Sequence, residues 1–126
     1  MKQPDILIFM TDQHTPYYSG WYGNNVDTPN LDALVQEGTA FDEAYTSCPL
    51  CVPSRVSMLS GKRPANTGVF TLNDALPDMT PTFLHHLVLQ GYETVLVGRM
   101  HFIGFDQRHG FTKRIAPDCT TITWNR

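Results

Sequence analysis

The chain has 126 residues, 41% hydrophobic and 17% charged, with a formal net charge of −3. That length supports one domain with its own core, and the balance is that of a soluble globular protein, not a disordered or fibrous one. The slight negative charge gives no basis for a nucleic-acid partner or for an anionic membrane surface.

The apolar run near the N-terminus, Ile6-Leu7-Ile8-Phe9-Met10, is too short for a signal-peptide core or a bilayer span, so no membrane partner is expected. Three cysteines without framework spacing suit a reducing compartment, and the expected location is cytoplasmic.

Asp5 to Met10 is largely apolar, partly β-branched and of strand length, ending at Thr11-Asp12-Gln13-His14. Such a run suits a strand buried on both faces of a parallel sheet. Pro16 to Asn25, rich in Tyr, Gly and Asn, reads as a loop. Thr28-Pro29 supplies an N-cap and a first-turn proline, Leu31, Leu34 and Val35 recur at helical spacing, and Gly38 stops the helix. Thr39 to Tyr45 is a short strand candidate. A helix is expected from Pro53, with Val56 and Leu59 inward and Gly61 at its end. Lys62 to Asp78 reads as a loop. Thr80-Pro81 repeats the cap-plus-proline start, Phe83, Leu84, Leu87 and Val88 form an apolar stripe, and Gly91 ends it. Glu93 to Val97 is a second buried-strand candidate, running into Gly98-Arg99-Met100-His101.

This alternation predicts an α/β fold with a mostly parallel sheet flanked by helices. Ligands in such folds collect beyond the carboxyl ends of strands, where Asp12 and the Arg99/His101 pair both fall. The basic residues Arg99, Arg108, Lys113 and Arg114 read as a solvated face.

Four places carry reactive chemistry. Asp12 is either a loop residue or a carboxylate ligand for a hard divalent cation, to which the Gln13 amide oxygen would add. Cys48-Pro49-Leu50-Cys51 has the spacing of a redox dithiol or half a zinc site. His85 and His86, the nearest further zinc ligands, are neighbours on a helix and diverge by about 100°. Cys51 precedes a helix start, where unpaired N–H groups favour negative charge, and Arg55 adds a forked cation suited to oxyanions. On an extended segment Arg99 and His101 share a face, pairing an anion-holding cation with an imidazole for proton transfer.

Together these segments resemble the sulfatase family of the alkaline-phosphatase superfamily. Cys51-Val52-Pro53-Ser54-Arg55, continuing through Met58-Leu59-Ser60-Gly61, is similar to the family's C-x-P-S-R signature. Asp5 to Gln13 resembles its N-terminal strand and metal-binding turn, and Thr28-Pro29-Asn30-Leu31-Asp32 the helix that follows. Val97 to Gly104 resembles its later Gly-Lys-x-His segment, with Arg99 in place of the lysine. Asp12-Gln13, Met100-His101-Phe102 and Asp106-Gln107 resemble the choline-sulfatase and phosphonate-monoesterase branches.

The resemblance implies that a maturation enzyme oxidises Cys51 to formylglycine (3-oxoalanine), hydrated to a geminal diol. One diol oxygen, bound to a divalent cation (usually calcium; magnesium or manganese as alternatives), would attack sulfur, and the second hydroxyl would let the intermediate release sulfate. It further implies Asp12, Gln13 and Cys51 as metal ligands, Arg55 as stabiliser of the diol, Arg99 as sulfate contact and His101 as helper at the nucleophile or leaving group. The expected substrate is a small-molecule or carbohydrate sulfate ester. Sulfatases are several times longer and take further metal ligands from downstream, so residues 1–126 are expected to be the N-terminal portion of a larger catalytic domain, inactive in isolation. Ile115 to Arg126 reads as a segment interrupted before its domain is complete. Rival readings are a phosphonate-monoester or phosphodiester hydrolase of the same superfamily, a small Cys-x-x-Cys redox or zinc module, and a non-catalytic scaffold.

Overall fold

The computed structural model describes residues 3–23 and 26–116. Contacts gather the chain into two compact units, one within Met1–Ala44 and one within Tyr45–Arg126. The expectation for Ile115 to Arg126 falls almost wholly outside the described residues.

The first unit holds two single-turn 3-10 helices, Pro16–Tyr18 and Gly20–Tyr22, and helix α1, Pro29–Glu37. Proline opens α1 and Gly38 closes it, as the sequence predicts, with the Gly38 N–H bonded to the Leu34 carbonyl. The expected N-cap, Thr28, spends its hydroxyl elsewhere. It accepts from Gly20 N at 2.9 Å and donates to Asp32 Oδ1 at 2.9 Å, and the same carboxylate oxygen accepts from Trp21 N at 3.1 Å. A Cβ at position 20 would stand 2.7 Å from Asp32 Oδ2, so any larger residue there must displace that carboxylate. Polar bonds thus tie residues 20 and 21 to Thr28 and Asp32.

Two strand expectations fail in this unit. Residues 5–10 and 39–45 form no ladder among the described residues, and Leu7 and Phe9 are 90% and 82% exposed. A strand is defined by the neighbour that takes its N–H and C=O groups, and none of the described residues does so. The intended inner positions of α1 share this exposure, with Leu31 and Leu34 both open to solvent.

The second unit contains α2 (Cys51–Ser60), α3 (Pro64–Thr67), α4 (Phe83–Leu89), β1 (Val95–Leu96) and β2 (Lys113–Arg114). The strands pair in parallel, Val95 opposite Lys113 and Leu96 opposite Arg114, in keeping with the parallel expectation. β1 is the shortened form of the predicted 93–97 strand. Its core has two apolar groups: Leu59, Leu84, Leu96, Met100 and Phe102 in one, and Val52, Val56, Val69 and Leu76 in the other. Helix α2 feeds both. Val52 and Val56 lie one turn apart on one stripe and Leu59 extends the buried surface.

Three local expectations shift. Helix α2 begins at Cys51 rather than Pro53, because proline is tolerated throughout the first turn, where N–H groups lack helical partners. The 62–78 stretch contains α3, opened by Pro64 and closed by Gly68 in the left-handed region. Helix α4 is capped at Thr82 rather than Thr80. Thr82 N donates to His85 Nδ1 at 3.1 Å, so a histidine stands where a capping box has Glu or Gln. No helix among the described residues is long and apolar enough to cross a membrane.

Candidate functional site

Cys51 is half-buried at the first position of α2, with Leu50 as N-cap in extended conformation. The buried residues Val52 and Pro53 hold this end of the helix against the core. Arg55 lies one turn on, on the same stripe as Cys51. Arg55 is only 7% exposed, and its guanidinium donates from Nη1 to the Arg99 carbonyl at 2.9 Å, across 44 residues of sequence. Helix α2 is thereby tied to the segment that carries the other nominated cation.

Arg99 Nη2 in turn meets His101 Nδ1 at 2.9 Å. A guanidinium can only donate, so Nδ1 accepts and the imidazole proton resides on Nε2. The contact comes from a turn, not from strand alternation: His101 sits at φ +57°, in the left-handed region. A non-glycine residue held there costs on the order of 1–3 kcal/mol and persists only where its surroundings over-determine it. Those surroundings are visible, since Met100 and Phe102 on either side are both buried. The second unit therefore brings Cys51, Arg55, Arg99 and His101 into one chain of attachment.

In the first unit, Asp12 and Gln13 occupy an exposed bend after the 3–11 segment, and Gln13 is also left-handed at φ +52°. Of the three non-glycine residues with positive φ among the described residues, two are therefore nominated site residues and the third is His109. Among the described residues no group of three His, Cys, Asp or Glu side chains is arranged to hold a metal ion.

Cys48 is half-buried, and its N–H reaches the Thr46 hydroxyl at 3.4 Å. The basic residues expected to form a solvated face separate instead. Lys113 pairs with Glu93 on the surface, whereas Arg114 donates from Nη1 to Gln107 Oε1 at 3.0 Å and to the Gln107 carbonyl at 3.1 Å. Gln107 donates onward to the Phe102 and Gly104 carbonyls at 3.1 and 2.8 Å. Asp106 accepts from Arg108 N and His109 N and stands 3.2 Å from His109 Nδ1. That approach is close enough for charge attraction but is not aligned as a hydrogen bond. Burial pushes the Asp106 carboxyl up, but the two backbone N–H groups and the nearby imidazoles outweigh it and hold it below the ordinary value. His109 is 1% exposed, and burial pushes its imidazole down despite the carboxylates of Asp106 and Asp78.

Sequence reasoning assigned no role to Gln107, Arg114, Thr82 or His109, which frame the segment bearing His101. Only Asp106-Gln107 gave a signal, as part of a family resemblance. The left-handed histidine had none, because nothing in Met100-His101-Phe102 distinguishes it from extended chain.

A protein-family model described as Sulfatase matches residues 4–122. The choline-sulfatase of Rhizobium meliloti (strain 1021) is 40% identical over 117 residues, which cover 92% of this chain and 23% of that protein. The N-acetylglucosamine-6-O-sulfatase of Bacteroides thetaiotaomicron is 36% identical over 110 residues, covering 83% of this chain and 20% of its own length. A solved structure, of a protein in complex with its substrate D-glucosamine-2-N,6-O-disulfate, superposes with a TM-score of 0.83 at 35% identity, over 90% of this chain and 23% of that one. This chain thus spans no more than 23% of the length of either relative. The superposition carries the α/β, parallel-sheet expectation.

Proposed function

The chain belongs to the sulfatase family, and from that premise we propose that the protein hydrolyses sulfuric esters, with Cys51 as precursor of its nucleophile. The observation that supports this most directly is the linked set in the second unit: Cys51 heading α2, Arg55 bonded to the Arg99 carbonyl, and Arg99 bonded to His101. In this reading Cys51 matures to formylglycine, whose hydrate supplies both an attacking oxygen and a second hydroxyl through which sulfate is released.

The chain's own residues divide the remaining work. The start of α2 presents N–H groups and the positive end of the helix dipole toward residue 51, favouring an anionic group there. Arg99 holds the sulfate oxygens by charge and by its forked donors. His101, with its proton on Nε2, donates a hydrogen bond to the bridging oxygen and so stabilises the negative charge that develops there as the bond to sulfur breaks. Arg55 fixes the distance between the helix and this pair. Asp12 and Gln13 suit a hard divalent cation, because a carboxylate and an amide oxygen are the donors such ions take. They would hold it, calcium being the expected ion, and it would supply Lewis-acid polarisation when bound. A sulfated small molecule or carbohydrate is the proposed substrate class, and a formylglycine-generating enzyme the proposed maturation partner.

The test is the full-length protein that contains residues 1–126, co-expressed with such a maturation enzyme. The peptide containing residue 51 should lose about 18 Da, the exchange of one sulfur and two hydrogens for one oxygen. The matured protein should cleave an aryl sulfate faster than the matching phosphonate monoester. A phosphonate preference would move the assignment to the sister activity, and an unmodified thiol under these conditions would end the proposal.

A further inference from the structure

We infer that Gln107 is a positioning residue, whose side-chain amide clamps the turn after His101 and so holds that imidazole in place for the reaction. The inference rests on the reading of His101 as part of the catalytic site. It begins from the left-handed backbone of His101, which needs restraint on both sides. On the near side, Arg55 bonds the Arg99 carbonyl. On the far side, Gln107 Nε2 donates to the carbonyls of Phe102 and Gly104. One amide nitrogen thus spends both its hydrogens on the single turn that leaves His101.

The orientation of that amide is dictated at both ends. Its Oε1 accepts from Arg114 Nη1, which also binds the Gln107 backbone carbonyl. A flipped amide would set oxygen against two carbonyl oxygens and NH2 against a guanidinium. The clamped turn is also packed. The Phe102 ring stands edge-on to His109 with centroids 4.7 Å apart, and the Arg114 guanidinium lies 6.0 Å from its centre. A side chain of this size with donors at one end and an acceptor at the other has one proteinogenic solution at position 107, glutamine. Gln107→Glu keeps the shape and the Arg114 contact but turns both carbonyl contacts repulsive. Gln107→Leu removes both ends without adding charge.

The experiment is a double-mutant cycle in the matured protein, with thermal unfolding midpoints as the control for folding. Gln107→Glu and Gln107→Leu should each lower kcat by about 10-fold with KM within about twofold, the scale expected for misplacing a group without removing it. In a His101→Ala background the same changes should cost less than about twofold, because the residue they act through is gone. Equal losses in both backgrounds, or no loss in either, would overturn the inference. A second readout is independent of turnover. In 15N-histidine-labelled protein the His101 ring should show the Nε2–H tautomer, and both variants should lose that bias; unchanged ring signals would overturn the role. A wild-type protein that cleaves no sulfate ester would count against the sulfatase reading alone, leaving the ring signals to decide on Gln107.

Discussion

The two units are built on opposite economies. In the second, two groups of aliphatic and aromatic side chains are buried, and α2 is pinned between them. In the first, none of the described residues is buried, and Gly20 and Trp21 are tied to Thr28 and Asp32 by a hydroxyl, a carboxylate and two backbone N–H groups. Both units nonetheless place a nominated residue in the left-handed region, Gln13 in one and His101 in the other. The lesson is that strained backbone alone does not show how firmly a residue is held. His101 is gripped by buried neighbours and three hydrogen-bonded carbonyls, whereas Gln13 sits on an exposed bend.

The sharpest break of that comparison is chemical. Cys51→Ala should lower sulfate-ester turnover by on the order of 10³-fold or more, as removal of a nucleophile does, while Cys48→Ser stays near wild type. Steady-state kinetics on the matured protein checks both, and a comparable loss at Cys48 would revive the paired-cysteine reading.

Next in size is core truncation. Leu59→Ala empties a site 1% exposed in the second unit and should cost about 2–5 kcal/mol. Leu34→Ala, at an exposed position of α1, should stay within about 0.5 kcal/mol. Denaturant midpoints at constant m-value would show the contrast.

Thr82→Val tests a smaller, polar part of the second unit. Its hydroxyl, 1% exposed, donates to the His109 carbonyl at 2.7 Å, and losing that donor leaves a buried acceptor unsatisfied at about 1–3 kcal/mol. Asp32→Ala removes the corresponding acceptor from the first unit. Its effect should appear as faster hydrogen exchange at the Gly20 and Trp21 amides, with little change in global stability.

The smallest effect is in pH. His109 is held neutral by burial, so its folded pKa lies below the ordinary 6.5. The unfolded chain then binds more protons between the two values, and stability rises with pH across that window. The contribution is complete above about pH 6.5 and fades as pH falls through the folded pKa. Asp106, also lowered, acts in the same sense further into acid. His109→Phe should flatten the slope between pH 5 and 7 in thermal melts, and an unchanged slope would remove His109 from this role.

How much of this was legible beforehand depends on the range of the interaction. Pro29, Gly38 and Gly61 announced helix ends correctly, because caps are local chemistry. The C-x-P-S-R run announced a helix start but set it at Pro53, two residues late, because proline is tolerated anywhere in the first turn. The 5–10 and 39–45 runs have strand-like patterning, but patterning cannot provide a ladder partner. Thr82 escaped notice because its capping partner is a histidine, outside the usual Glu or Gln. Arg99 and His101 were expected to share a face of an extended segment; they meet at 2.9 Å through a left-handed turn that spacing does not encode.

The bond from Arg55 to the Arg99 carbonyl has a kinetic consequence. It joins residues 44 positions apart, so closing it must wait while α3, α4 and β1 find their places in between. The entropy lost in closing such a loop falls due before the contact returns anything. Helix α2 can therefore form early on its own local signals, whereas the alignment of residue 51 with Arg99 and His101 belongs to the last steps of folding. Probes of the site should lag behind probes of the helix during refolding.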